Sequence, residues 1–298
     1  MNVCGGKKMA DIKRQGQNCV IGNNVKLGNN VILGHNCIIE DSVVIGDDTF
    51  IDSNTTIRSG VTIGEGSFIG SNSIIGEYWM DFCLDRQKHE HLLTIGNKAL
   101  IRSGSIIYSG SMIGDNFQTG HQVTIREKTE IGNNVSIGTL SDIQGNCRIG
   151  NYVRLHSNAH IGQLSLIDDY VWVYPYVVLT NDPTPPSNDF VGVHVHSFAI
   201  VATGSIIMPG LDLGQDCLIG AGALVTKSVE PYAVAIGNPA KKVSDVRKIR
   251  NKITGELAYP WREHMSNYMP WEGSGFNAWY ASLDIDEKKY YSLLELKE

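Results

Sequence analysis

Positive charge is the first thing this sequence is short of. Its 298 residues carry 25 Lys and Arg against 31 Asp and Glu, a formal net charge of −6. A nucleic-acid binder normally shows a basic face, so no nucleic-acid partner is expected. Charged residues of both signs make up only 19% of the chain, and glycine is abundant at 32 residues, a balance suited to turn-rich β architecture. No apolar run approaches the roughly 20 residues that a spanning helix needs. No charged-then-apolar leader of the signal-peptide kind is visible either. A cytoplasmic protein without a membrane partner is the resulting expectation. Six cysteines are present, yet they do not read as a disulfide framework.

What the chain does have is a six-residue period. Ile21, Leu27, Leu33, Ile39, Ile45, Ile51, Ile57, Ile63, Ile69 and Ile75 follow one another without a slip. Two residues before each later member sits a small side chain, such as Val31, Cys37, Val43 or Thr49. Residues two apart point to one side of a strand, so each pair faces a common interior. Gly-Asn-Asn, Gly-Asp-Asp and Gly-Glu-Gly separate the pairs and favour tight turns through left-handed backbone angles. Cys37, Cys147 and Cys217 occupy the small inward slot, which makes them packing residues of a reducing compartment. A fixed hexapeptide period predicts an all-β parallel β-helix, three hexapeptides to each 18-residue coil.

The period resumes at Ile95 and again at Val201, which gives about ten coils over residues 21–230 and two interruptions, residues 77–94 and 180–199. Fifteen hexapeptides lie between the interruptions, so both loops are expected at the same corner of the coil. Long loops on so regular a scaffold are usually functional. The first carries Asp81, Asp85, Arg86, His89, Glu90 and His91; the second opens with Asn181-Asp182-Pro183. Residues 1–20, including Cys4-Gly5-Gly6-Lys7-Lys8, are an uninformative N-terminal segment, with Met9 a second candidate start. Residues 231–298 read as an irregular, aromatic tail with a short basic helix from Lys242 to Ile253, covering an end or a face of the coil.

The hexapeptide array, closed by Val234-Ala235-Ile236-Gly237-Asn238-Pro239-Ala240-Lys241, resembles the left-handed β-helix acyltransferases. Left-handedness is implied by that resemblance alone, since parallel crossovers are otherwise right-handed. The resemblance also implies a homotrimer that binds acyl-CoA, as co-substrate and without a metal, between neighbouring chains. Within the family, Gly114-Asp115-Asn116-Phe117-Gln118-Thr119-Gly120-His121, then Val123-Thr124-Ile125-Arg126-Glu127, is similar to the branch that N-acylates nucleotide-linked amino sugars.

Acyl transfer to an amine needs a route for the amine proton and donors for an oxyanion. His121 is the best base by type, with Thr139 and Ser157 one and two coils on. Asp81, Asp85 and Asp182 are the carboxylate substitutes. Acceptor contacts are expected from Arg102, Tyr108, Arg126, Glu127, Asp81 and Arg86. Ala202-Thr203-Gly204 and Gly220-Ala221-Gly222 lie 18 apart and form a strip of small residues suited to a pantetheine arm. Lys227, Lys241 and Lys242 follow as phosphate partners, and Asn158 and His160 are further CoA candidates.

The expected activity is therefore CoA-dependent N-acylation of a dTDP- or UDP-linked amino deoxy sugar, serving surface-glycan or antibiotic biosynthesis. O-acetylation of a small hydroxylated acceptor is the alternative on the same fold. A γ-class carbonic anhydrase-like metal enzyme using His121, His156 and His160 is weaker, because 121 to 156 is one residue short of two coils. A non-catalytic solenoid is the remaining reading.

Overall fold

The computed structural model describes residues 13–87 and 92–291, so the readings placed on Cys4 to Lys8, Met9, His89, Glu90 and His91 lie outside the described residues. The chain divides into two compact units, one up to Ser141 and one from Asp142 onward. Each unit is a stack of triangular coils built from three parallel sheets.

In the first unit, the first sheet runs from Arg14–Gln15 through Ile32–Leu33 to Ser136–Ile137. The second runs from Val20–Ile21 to Thr124–Ile125, and the third from Lys26–Leu27 to Glu130–Ile131. Leu33, Cys37, Ile39, Val43, Ile51, Ile57 and Ile69 are fully buried, as the two-residue alternation requires. Each such aliphatic side chain contributes about 1.5–3 kcal/mol over leaving it in water. Backbone groups pair with the next coil, as from Gly34 N–H to the Ile51 carbonyl at 2.7 Å. The corners are made by Asn24, Asn30, Asn36, Asp48 and Asn54, all at φ between 54 and 60°. Their side chains form ladders, Asn18 to Asn36 at 3.1 Å and Asn36 to Asn54 at 2.9 Å.

The second unit repeats the plan. Its first sheet runs from Arg154–Leu155 to Leu218–Ile219, its second from Asp142–Ile143 to Leu224–Val225, and its third from Arg148–Ile149 to Asp212–Leu213. Cys147 and Cys217 are buried and free, and burial pushes the Cys147 thiol up to about 11.

The array exceeds the sequence count of ten coils in three places. Arg14–Gln15 already pairs with Ile32–Leu33, upstream of the expected start. His194–Val195 is a strand of the third sheet, so the second loop spans only residues 180–193. Ala233–Gly237 joins the first sheet beside Leu218–Ile219. The helix expected from Lys242 is absent: Ala240–Asp245 is a strand, antiparallel to Ala233–Gly237, with Asn238-Pro239 in the connecting turn. Pairing with an open sheet edge outweighs the helical propensity of those lysines. A single 3₁₀ turn, Val246–Lys248, follows, and the helices of the tail lie further on at Phe276–Ser282 and Ile285–Tyr291.

The tail covers a face of the second unit. Tyr152, Tyr170 and Phe198 stack at one corner with ring centroids 5.2 and 5.0 Å apart. Trp261, Met269 and Trp271 bury themselves against Tyr170, Phe198 and Ile200. Arg262 lies 4.6 Å from the Phe198 ring centroid and forms a buried ion pair with Asp216. No described helix is long and apolar enough to cross a membrane.

Candidate active site

Two polar groups emerge on the first unit, one at each edge of its second sheet. The near edge follows the strand Gln118–Thr119, where the chain turns through Gly120, His121 and Gln122. A Cβ on Gly120 would stand 2.2 Å from the Thr139 nitrogen, so only glycine lets the next coil pass. The following His121 is exposed; its backbone N–H donates to Thr139 Oγ1 at 3.1 Å, and its Nδ1 lies 2.9 Å from Ser103 Oγ. Ser103, His121 and Thr139 thus form a polar ladder, one residue per coil. Arg102 sits beside Ser103 with an exposed side chain, and its backbone N–H donates to Thr119 Oγ1 at 2.9 Å. That bond explains a buried threonine in a slot otherwise held by large aliphatics.

The far edge is where the first loop leaves. Arg126 pairs with Glu127 at 2.8 Å and approaches the Tyr108 ring to 5.9 Å. Burial raises the Tyr108 phenol above its usual range, although the Arg126 charge opposes the shift. Trp79 Nε1–H donates to the Ser109 carbonyl at 2.7 Å, and its ring lies so close over Gly110 that a Cβ there would be 2.3 Å away. Lys128 Nζ stands 4.9 Å from the Trp79 ring. Tyr78 stacks on Phe82 at 4.0 Å and holds Arg58 at 4.4 Å, itself paired with Glu40 at 2.7 Å. Of the predicted acceptor residues, Tyr108, Arg126 and Glu127 are therefore brought together.

The remaining loop residues make local contacts. Asp81 lies in the first turn of the helix Met80–Leu84 and its Oδ1 accepts from the Phe82 N–H. Asp85, exposed, closes that helix and accepts from the Gln87 N–H at 3.2 Å. Arg86 lies 5.1 Å from the Phe82 ring. His121 and these groups occupy opposite edges of one sheet.

In the second unit Asp182 accepts from the Ser187 hydroxyl at 2.7 Å, the Ser187 N–H at 2.9 Å and the Thr184 N–H at 3.0 Å. The Ser187 hydroxyl above all holds its carboxyl below the usual range. A carboxylate so engaged is a loop anchor and a poor proton acceptor, which weakens its place among the catalytic candidates.

Ala202 and Gly220, and Thr203 and Ala221, stand on neighbouring coils, with the Gly222 N–H donating to the Thr203 carbonyl at 2.9 Å. Thr203 and Ala221 are exposed. Gly220 has a structural reason of its own, since a Cβ there would stand 2.4 Å from Ile236 Cγ2. Lys227 and Lys241 are exposed, whereas Lys242 is tied to Glu230 at 2.5 Å. Asn158 takes a turn position at φ 60°. His160 pairs through Nδ1 with Asp142 at 3.3 Å. His156 stacks on Tyr174 at 4.7 Å. Among the described residues, the group of three able to hold a metal is Asp168, His194 and His196, which contains none of the histidines weighed for a carbonic anhydrase.

Sequence reasoning did not single out Glu40, Arg58 or Ser103, and it noted Trp79 in the first loop without giving it a role. Glu40 with Arg58, and Ser103 with His121, differ by 18 residues, so the coil length itself was a usable signal.

Residues 42–77 and 128–163 match the bacterial transferase hexapeptide family (six repeats), and residues 202–227 match the hexapeptide repeat of succinyl-transferase. A chloramphenicol acetyltransferase of Klebsiella aerogenes is 49% identical over 43 residues, which are 14% of this chain and 20% of that protein. The chain spans less than a third of the length of the curated relatives it matches. Among solved structures, LpxA of Acinetobacter baumannii is 22% identical with a TM-score of 0.44, covering 76% of this chain and 72% of that one. AntD, an N-acyltransferase from Bacillus cereus in complex with dTDP and coenzyme A, is 21% identical with a TM-score of 0.34, covering 57% and 91%. The stretches matched to the hexapeptide families cover about a third of the chain, which carries the hexapeptide repeats of transferases and has the hexapeptide-repeat left-handed β-helix fold.

Proposed function

We propose that this protein is a homotrimeric, CoA-dependent N-acyltransferase acting on a dTDP- or UDP-linked amino deoxy sugar, in the service of glycan or antibiotic biosynthesis. The observation that carries the reading is the pairing of His121 Nδ1 with Ser103 Oγ at an open corner. When Nδ1–H donates to Ser103, the Nε2 lone pair is left for a substrate proton. The amine nitrogen attacks the thioester carbonyl, Nε2 takes the amine proton, and the imidazolium returns it to the departing CoA thiolate. Arg126, paired with Glu127 beside Tyr108, supplies the planar cation and aromatic surface that suit a nucleotide diphosphate.

His121 and Arg126 stand on opposite edges of the second sheet, which supports a substrate cleft between two chains. The outward face of that sheet also supports assembly: Val20, Ile38, Thr56, Ile74 and Ile106 stack in register, with Val20 60% and Ile38 41% exposed. Ile206 shows the same exposed position on the second unit, whereas Val44 belongs to the third sheet. The strip at Thr203 and Ala221 is the proposed pantetheine path, with Lys227 and Lys241 for the phosphates, and Asn158 and His160 as further CoA contacts.

The deciding experiment offers acetyl-CoA with a panel of dTDP- and UDP-linked amino sugars and follows CoA release. Turnover restricted to amino acceptors supports the reading. The match to a chloramphenicol acetyltransferase favours the second reading, O-acetylation of a small hydroxylated acceptor. Turnover of such alcohols with none of the amino sugars would establish it instead. A monomer in sedimentation at micromolar concentration would remove the shared cleft.

A further inference from the structure

Outside the proposed acyl-transfer site, the third sheet of the second unit gathers two imidazoles and two carboxylates. Val193 and Val195 are fully buried, so alternation turns His194 and His196 to the outer face. His194 lies in register between Leu166 and Asp212. Asp168 and His196 continue the same rungs, with N–H bonds at 2.9 Å to the Val195 and Leu213 carbonyls. All four side chains therefore stand on hydrogen-bonded β-structure.

Their ring nitrogens face carboxylates on both sides. Asp168 Oδ2 lies 3.1 Å from His194 Nε2 and 3.4 Å from His196 Nδ1. Asp212 Oδ1 lies 3.2 Å from His196 Nε2 and 3.7 Å from His194 Nδ1. The two rings are only 3.8 Å apart, centroid to centroid. Two neutral imidazoles own two N–H groups between them, so two of these four nitrogens must aim lone pairs at a carboxylate. Two imidazolium rings stacked this closely would repel instead. His196 is 8% exposed, and its buried Nδ1 makes no hydrogen bond.

We propose that Asp168 Oδ2, His194 Nε2 and His196 Nδ1 bind a first-row divalent cation, zinc being the best match, with Asp212 orienting both rings. The arrangement uses every group once. His196 Nε2–H donates to Asp212 Oδ1 at 3.2 Å and His194 Nδ1–H faces the same oxygen at 3.7 Å, their other nitrogens turn lone pairs to the ion, and Asp168 supplies charge. Tetrahedral zinc with bonds of about 2.0–2.1 Å places its ligand atoms roughly 3.4 Å apart, close to the 3.1 and 3.4 Å that separate Asp168 Oδ2 from the two nitrogens, and all three ligand atoms lie within 4.8 Å of one another. A carboxylate behind both imidazoles is the usual outer-shell device for fixing the tautomer. Asp168 precedes the second loop and both histidines follow it, so the ion would fasten the returning strand to the coil that the loop left. The expectation of no metal came from the family resemblance, and these histidines fell within the second interruption, residues 180–199.

The test uses the full chain, stripped with a chelator and dialysed, then titrated with Zn²⁺ by calorimetry and with Co²⁺ by visible absorption. One ion per chain is expected, with Asp212→Asn weakening affinity about 10–100-fold and His194→Asn weakening it further. Zinc-soaked crystals of the unmodified chain should show an anomalous peak within bonding distance of the three ligand atoms, which decides the matter if a variant misfolds. No uptake of either ion, uptake unchanged in both variants, or a peak elsewhere would overturn the proposal and leave a proton-bridged cluster.

Discussion

The two inserted loops leave their units at the same place in the sheet order, from a second-sheet strand to a third-sheet strand, yet different physics holds them. The first is fastened by rings. Trp79 lies over Gly110, Tyr78 stacks on Phe82, and Arg58 and Lys128 lie against the aromatic faces. The second is shaped by one carboxylate, Asp182, that gathers the donors of Thr184 and Ser187. Ring packing ties a loop to the coil beneath it. A carboxylate that accepts only from its own loop shapes that loop and leaves its attachment to the ends. The difference teaches that the first loop is built as part of a surface, and the second as a self-contained turn.

The largest expected effect tests whether either loop carries chemistry. If the base stands on the coil, His121→Asn should slow turnover by roughly 10²–10⁴, with CoA binding unchanged by calorimetry. Asp85→Asn and Asp182→Asn should then stay within about threefold of the parent. Loss on the carboxylate variants, with His121→Asn active, would move the chemistry into the loops and break the comparison.

Next comes removal of the first loop. Replacing residues 78–92 by a short turn should leave the coils folded, because neighbouring coils stabilise one another. The KM for the amino sugar should rise about tenfold or more, and CoA affinity should hold within about twofold. Equal loss of both would show that the loop serves the donor as well.

A smaller effect sharpens the account of attachment. Trp79→Ala removes a half-buried ring and the bond to the Ser109 carbonyl, at an expected cost of about 1–2 kcal/mol. Calorimetric unfolding should show a Tm lower by a few degrees. A Tm equal to that of the parent would mean that the ring contributes no attachment.

The smallest effect is local. The folded-state pKa of Asp182 lies below its unfolded value, so its contribution is present above about pH 4 and lost as pH falls through the lowered value. The protection factors of the Thr184 and Ser187 amides, with the intrinsic pH dependence of exchange divided out, should therefore fall on acidification, and Asp182→Ala should show low protection at every pH. Protection that survives both changes would show that the loop ends, not the carboxylate, order the turn.

The coil was legible because its grammar is local. A large aliphatic every six residues, a small residue two before it, and a turn former between are enough to specify strand, corner and interior. The repeat was lost where that grammar changes alphabet. At Val193-His194-Val195-His196 the outward positions are histidines after a proline-bearing loop, and the strand passed for loop. The basic run after Lys241 carries helix formers, and only an open edge at Leu218–Ile219, extended by Ala233–Gly237, makes it a strand. At the candidate site, His121 was visible as a polar residue at a corner. Its partner Ser103 needed the 18-residue offset, and the separation of Arg126 from His121 needed the assignment of strands to sheets.

By itself, then, the amino-acid order determined the all-β coil, the buried aliphatic column, the corner at which both loops leave and the likeness to hexapeptide-repeat transferases. Each depends on interactions between residues close in sequence or one coil apart, which repeat unchanged. Tertiary structure decided what repeats cannot carry. It set the hairpin after Pro231, the aromatic cover of the second unit, and the gathering of Asp168, His194, His196 and Asp212. Although His194 and Asp212 keep the 18-residue offset, Asp168 and His194 stand 26 residues apart, a separation that fits no period because a loop of arbitrary length intervenes. Only when the strands on either side have paired does the chain place them within reach of one another.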